Sequence, residues 1–354
     1  MPESRPISTF FSIAVAVSAA FLLLLGLLPF ISETPGATLQ SFFTGPFRSA
    51  YYLGNFLNRT GLYALAGLAM LVSFQGGMFN LGGEGQVYAG ALATTMTLIL
   101  CPTLPGIPGI IVGLFAGILG GTVLAGISGF FRMKWNTDEL ISSFLLSSSV
   151  VYTIDYLVSG PLRDREGYLL STPEIAEHFH LPPVMSPSHL NIGIFMILLL
   201  IWASHRFLYH SSTGYELRIT GLNREFAAYG GIPVARYYFL PITLSGALYG
   251  LTGSLYILGT GYATIQGSTA GMGWNGIAVA LIARNRPSLI LPAALVFTFL
   301  ESGAQNAVVH SDFSFEFGAV LQGVVLFLVT ARVFKPDIFK RRKAAGQDNE
   351  GEEQ

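Results

Sequence analysis

From Tyr237 to Ala283 the chain runs for 47 residues without one Asp, Glu, Lys or Arg. Thr60 to Gly83 and Gly85 to Phe131 are uncharged as well. A bilayer-spanning helix needs about 20 mainly apolar residues, so stretches of this length read as membrane sequence. Composition agrees. Only 11% of residues are charged, against roughly 25% in soluble domains. The fold class is therefore all-α, a polytopic membrane protein of about ten transmembrane helices in contact with lipid.

Apolar segments fall near residues 8–31, 60–79, 85–101, 108–131, 139–158, 190–209, 234–258, 287–309 and 317–334, with a short glycine-rich tenth near 266–283. Segments 85–101 and 266–283 either span or re-enter. Residues 102–109, "PTLPGIPG", stop any helix through their prolines and glycines. Ile7 to Ser32 is uncharged and longer than a secretory signal's apolar core of roughly 7–15 residues. It reads as an uncleaved first span.

Lys and Arg set orientation. Ten crossings gather Arg132, Lys134, Arg206, Arg218, Arg224, Arg236, Arg284, Arg286 and Lys335 on one side. The expected layout has both termini in the cytoplasm. Residues 1–7 form a short N-terminus, 8–334 the membrane domain, 210–233 a cytoplasmic loop, and 335–354 a basic-then-acidic tail. The opposite side receives the long polar loop 159–189. Loop 33–59, with Arg48 and Arg59, is the exception.

Several chemistries find no support. Cys101 is the one cysteine, so no intrachain disulfide forms. No Walker A pattern appears. The histidines lack metal-ligand spacing, and His178 and His180 read as solvated loop residues. No nucleophile–base arrangement is visible, which argues against a membrane enzyme. No metal, cofactor or nucleic-acid partner is expected.

The loop "GLNREFAAYGGIPVARY" predicts a short helix. Asn223 caps it, Ala227 and Ala228 lie inside, and Gly230–Gly231 end it. It serves either as an amphipathic connector or as a docking helix for a cytosolic partner.

Five motifs then stand in order: "FNLGGEGQVYAGA", "NTDELISSFLLS", "GLNREFAAYGGIPVARY", "LSGALYGLTG" and "GMGWNGIAVALIARNRP". Over roughly residues 58–335 the chain resembles the branched-chain amino acid/ribose/nucleoside permease family of ABC importers, especially its nucleoside-type branch. The resemblance implies a type II-like permease in a bacterial inner membrane that imports a small polar solute. It also implies ATP-binding subunits, a second permease (homologous or identical) and an extracytoplasmic solute-binding protein. Nucleosides, related ribose-bearing compounds, sugars and flavins all fit. Glu225, Ala227, Ala228 and Gly231, with Asn223, would form the ATPase-coupling site. The chain itself would not be an enzyme.

Candidate pathway residues follow, each with its plainer alternative. Glu84 interrupts two apolar runs, and a charge at the bilayer centre costs at least ~2.5 kcal/mol. With Asn80 and Gln86 it either lines a wet pathway or forms a hydrated helix cap. Trp274 and Asn275 could stack on and hydrogen-bond a flat ring, or Trp274 is a packed interfacial side chain. "GMGWNG" fits a dinucleotide pattern, but without βαβ context that reading fails. Glu301 and Gln305 share a helix face toward the outer mouth, either on the pathway or tying helices together. Asn136 and Glu139 predict a capping box. An ion-coupled secondary transporter is the alternative function, using carboxylates such as Glu84 and Glu301.

Overall fold

The computed structural model describes residues 34–269, 271–310 and 323. The expected segments 8–31 and 317–334, the N-terminal residues and the tail lie outside the described residues. Contacts divide the chain into two compact units, Thr44–Ser302 and a second formed by Met1–Phe43 with Gly303–Gln354.

Eleven α-helices occur among the described residues. They are α1 (Pro35–Thr44), α2 (Ala50–Gln75), α3 (Gly83–Leu100), α4 (Gly106–Trp135), α5 (Glu139–Ser159), α6 (Gly193–His210), α7 (Ser212–Leu222), α8 (Arg224–Tyr229), α9 (Val234–Tyr256), α10 (Met272–Ile282) and α11 (Ile290–His310). Six are long and apolar enough to cross a membrane: α2, α4, α5, α6, α9 with its extension to Gly261, and Pro287–Val309. The helix α10, with 11 residues, covers about 16 Å at 1.5 Å per residue, half of a ~30 Å hydrocarbon core.

Within the larger unit, α2 and α9 are mostly buried, while little of α6 is. Glycine lets α4 join them. Its buried face reads Gly109, Gly113, Gly117, Gly121, Ala125 and Gly129. A side chain at Gly121 would meet the Gly246 carbonyl and the Gly250 Cα of α9, and one at Gly117 would meet the Ser254 hydroxyl. Small residues every fourth position let membrane helices approach backbone to backbone. The opposite face carries exposed Ile107, Ile111, Phe115, Leu119 and Val123, the composition of a lipid-facing surface. In the smaller unit, Phe42 packs on Gly303.

Three expectations need correction. Helix α2 starts at Ala50 instead of 60, because Ser49 caps it by accepting the Tyr52 N–H at 3.4 Å. Its polar residues find partners on other segments. Asn55 accepts the His189 N–H at 2.9 Å, Asn58 donates to Thr260 at 2.9 Å, and Arg59 pairs with Glu301. Second, Asn136 and Glu139 form no capping box. Asn136 ends α4 in a left-handed conformation (φ 51°), Asp138 caps α5, and Glu139 pairs with Arg132 at 3.2 Å. Third, His180 is half-buried and stacked on Tyr262, centroids 3.9 Å apart, whereas His178 is exposed.

That stacking belongs to a larger contact. The loop after α5 lies along the segment that follows α9. The N–H groups of Thr172, Ile175 and Leu181 donate to the carbonyls of Thr264, Tyr262 and Leu258 at 3.0, 2.8 and 2.8 Å. Burial there raises the Tyr262 pKa above its ordinary value.

Candidate functional site

The chain breaks twice where the motifs place glycines, and the two breaks meet. The first follows α2. Gly77 turns at φ +66°, and Ser73 pins the turn by donating its hydroxyl to the Met78 carbonyl at 2.9 Å. The next residues run to α3, which begins at Gly83. The second break follows α9 and ends at Gly271, also left-handed at φ +79°, where α10 begins.

Glu84 joins them. It lies in the first turn of α3, and its carboxylate reaches the start of α10. Oε1 accepts the Gly271 N–H at 3.1 Å and Oε2 the Gly273 N–H at 2.8 Å. A side chain at Gly273 would meet the Glu84 backbone nitrogen, so the two helix starts touch. Helix N-termini present unpaired N–H groups and a partial positive charge. One carboxylate faces two such ends, which is a strong physical reason for a charge here. Half-buried Glu84 thus finds its partners beyond its own helix. It caps a helix from the other half of the chain.

Asn80 and Gln86 are fully buried and pair with each other. Asn80 Nδ2 donates to Gln86 Oε1 at 2.8 Å, and Gln86 Nε2 donates to Asn80 Oδ1 at 2.8 Å. Asn80 also donates to Ser245 Oγ at 2.9 Å and accepts the Gly82 N–H at 3.1 Å. Their amides hold the break in shape. From α5, Ser143 and Ser147 accept the N–H groups of Leu81 and Gly85 at 3.1 and 2.8 Å. These serines are one helical turn apart, a spacing that marks a shared face, and sequence reading passed over their role.

Trp274 projects from the first turn of α10 and is 41% exposed. Phe144 of α5, 42% exposed, meets it edge-on at 6.0 Å. The neighbour of Trp274, Asn275, points elsewhere. Nδ2 donates to the Tyr63 hydroxyl at 3.1 Å, which donates to Glu301 Oε1 at 2.8 Å. Arg59 lies 3.7 Å from Glu301 Oε2. Glu301 is therefore one link of a polar chain across α2, α10 and α11. Gln305 is half-buried on the same helix and falls in the other compact unit.

At the end carrying residues 210–236, α8 forms as expected. The Asn223 side chain accepts the Phe226 N–H at 3.0 Å. Gly231, at φ +78°, follows the helix end. Ala227 is buried beneath, while Glu225, Phe226, Ala228 and Tyr229 are exposed. Arg224 ties this helix to the first break, its Nη2 donating to the Gly77 carbonyl at 3.0 Å. At the end carrying 160–192, a cavity of about 510 Å³ is lined by Asp164, Tyr168, Thr172, Glu174 and Ala263 among others. Among the described residues no group of three His, Cys, Asp or Glu is placed to hold a metal.

Comparison with known sequences now decides the lineage. Residues 52–330 match the family described as "Branched-chain amino acid transport system / permease component". The chain belongs to this permease family. Among the relatives of this permease is the "Probable riboflavin import permease protein RfuC" of Treponema pallidum. It is 31% identical over 332 residues, covering 94% of this chain and 86% of the relative. The "Guanosine ABC transporter permease protein NupP" of Bacillus subtilis is 28% identical, covering 82% and 84%. The "Glucose ABC transporter permease protein TsgB13" of Haloferax volcanii is 28% identical, covering 81% and 78%. The permease thus sits among ABC transporter permeases for nucleosides, riboflavin and sugars, as its motifs implied.

Proposed function

We propose that this permease imports a small uncharged solute bearing a flat heterocycle and a ribose or ribityl group, in an ATP-driven complex of the bacterial inner membrane. The meeting of two helix starts at Glu84, with Trp274 exposed beside it, carries this reading. Transporters commonly form their midplane site where paired broken helices meet. The N–H groups that would welcome an anion are already occupied by the Glu84 carboxylate, which favours a neutral solute. Trp274 and Phe144 offer apolar ring faces. The riboflavin and guanosine named for two relatives share that flat-ring chemistry.

In this reading α8 docks on ATP-binding subunits through Glu225, Phe226, Ala228 and Tyr229, with both termini on that same cytoplasmic side. Arg224 carries its movement to the break at Gly77. An extracytoplasmic binding protein delivers solute at the 160–192 end, and a second permease chain, identical or homologous, completes the pathway. Asn80 and Gln86 support the pathway wall, while Trp274 and Glu84 face it. Glu301 and Asn275 brace it.

The test is reconstitution of the permease with its ATPase subunits and binding protein in proteoliposomes. Riboflavin, guanosine and glucose are compared, with and without ATP. ATP-dependent uptake of a ring-bearing solute is expected. Uptake driven by a proton or sodium gradient without ATP would reject the importer reading in favour of an ion-coupled carrier.

A further inference from the structure

Asp155 has no role in anything described so far, and its place in the chain is expensive. It is the one charged residue between Leu140 and Leu162, on a helix apolar and long enough to cross the membrane. A carboxylate on such a helix is retained for a reason, and its partners state the reason. The hydroxyl of Tyr88 donates to Asp155 Oδ1 at 2.8 Å, with the Ile265 carbonyl as a second, longer acceptor at 3.1 Å. The same hydroxyl accepts the Gly267 N–H at 3.3 Å, and that N–H also lies 3.4 Å from Asp155 Oδ1. Tyr88 itself is fully buried, its ring packed on Ile154 and Val158 of α5.

What this pair grips is not another helix. Gly267 belongs to the non-helical segment between the end of α9 and the start of α10, and it turns at φ +68°. Seven residues later comes Trp274. The segment is held along one face of α3. Thr264 donates to Thr95 at 2.9 Å, Gly267 meets Tyr88, and Gly271 and Gly273 meet Glu84. Glu84 and Tyr88 are four residues apart and therefore neighbours on that helix. The approach to α10 hangs between two carboxylates, Asp155 at one end and Glu84 at the other.

We propose that Asp155, acting through the Tyr88 hydroxyl, is a positioning residue that sets where the 265–273 segment, and with it Trp274, lies against α3. This rests on the reading of Trp274 as pathway wall. The requirement is the closer of the two acceptors, the one on α5 that ties Tyr88 to that helix, so Asp155→Asn, which keeps a carbonyl oxygen there, retains the position. Asp155→Ala and Tyr88→Phe lose it.

The full-length chain in lipid nanodiscs provides the test, with Trp135 and Trp202 changed to Phe so that Trp274 is the sole tryptophan. Acrylamide quenching and emission maximum are measured for the parent, Asp155→Ala, Asp155→Asn and Tyr88→Phe. Loss of one charge-assisted hydrogen bond moves a two-state position by about tenfold. The expected result is a clear rise in the quenching constant for Asp155→Ala and Tyr88→Phe, with Asp155→Asn like the parent. Unchanged quenching in Tyr88→Phe overturns the proposal, and so does Asp155→Asn behaving like Asp155→Ala. Where Asp155→Ala does not fold, Tyr88→Phe decides, because it keeps the packed ring and removes only the hydroxyl. The assay contains no solute and no ATP. Failure of the transport reading would therefore show in uptake and leave this outcome intact.

Discussion

Glu84 Oε2 accepts the backbone N–H of Gly273 at 2.8 Å, although the two residues are 189 positions apart. The contact joins the starts of α3 and α10 through a single carboxylate. Hydrogen bonds to a charged group contribute roughly 1.5–3 kcal/mol each. Glu84→Ala removes both acceptors and leaves two helix-start N–H groups without their carboxylate. Thermal unfolding in detergent is expected to drop, and uptake at matched expression to be lost. Glu84→Gln keeps one carbonyl oxygen and is expected to fall between. Wild-type uptake in both variants would remove Glu84 from the pathway.

Trp274 should govern affinity for ring-bearing solutes. Stacking a base on an aromatic side chain contributes about 1–3 kcal/mol by alanine substitution. Trp274→Ala is therefore expected to raise the half-saturating concentration of a flat heterocycle about 5- to 150-fold. Trp274→Phe should restore most of it. A sugar without a ring of that kind should respond far less, and competition of unlabelled solutes against uptake reads the difference.

The coupling loop makes a separate claim. Gly231 sits at φ +78°, a conformation proline cannot adopt because its ring fixes φ near −65°. Gly231→Pro should distort the end of α8, and Glu225→Ala should remove an exposed contact. ATP hydrolysis by the assembled complex is expected to persist in both while uptake per ATP falls. Unchanged coupling in both would leave α8 a plain connector.

The α4 stripe allows a paired stability test. At Gly121 a Cβ would overlap the Gly246 carbonyl, while at Gly126 the nearest atom is Thr243 Cγ2 at 3.5 Å, an ordinary contact. Overpacking costs about 1–3 kcal/mol or more, so Gly121→Val should lower the unfolding temperature sharply. Gly126→Ala should be neutral or slightly stabilising, since alanine favours a helix by up to ~1 kcal/mol. Melting curves of the two variants check both signs.

Hydropathy made most helices legible because a membrane span leaves an uncharged run of fixed length. The start of α2 was hidden for the converse reason. Asn55, Asn58 and Arg59 look like loop until their partners at His189, Thr260 and Glu301 are known. The cap of α5 was misplaced because Asn136 suits either a helix start or a left-handed helix end, and composition does not distinguish them. Glu84 was conspicuous as a lone charge, yet its partners are backbone N–H groups, which no side-chain pattern encodes. Asp155 carried the same signal, a lone carboxylate in an apolar span. Ser143 and Ser147 did not, because serine is common in membrane helices and only the fold shows which N–H each one meets.

The distance in sequence between Glu84 and its partners also has a meaning in time. Gly271 is made 187 residues after Glu84. At synthesis rates of about 5–20 residues per second, that is a wait of roughly ten seconds or longer. Until then α3 carries a carboxylate whose backbone partners do not yet exist. The first half of the permease cannot reach its final arrangement in the membrane alone, and the start of α10 completes it from the second half.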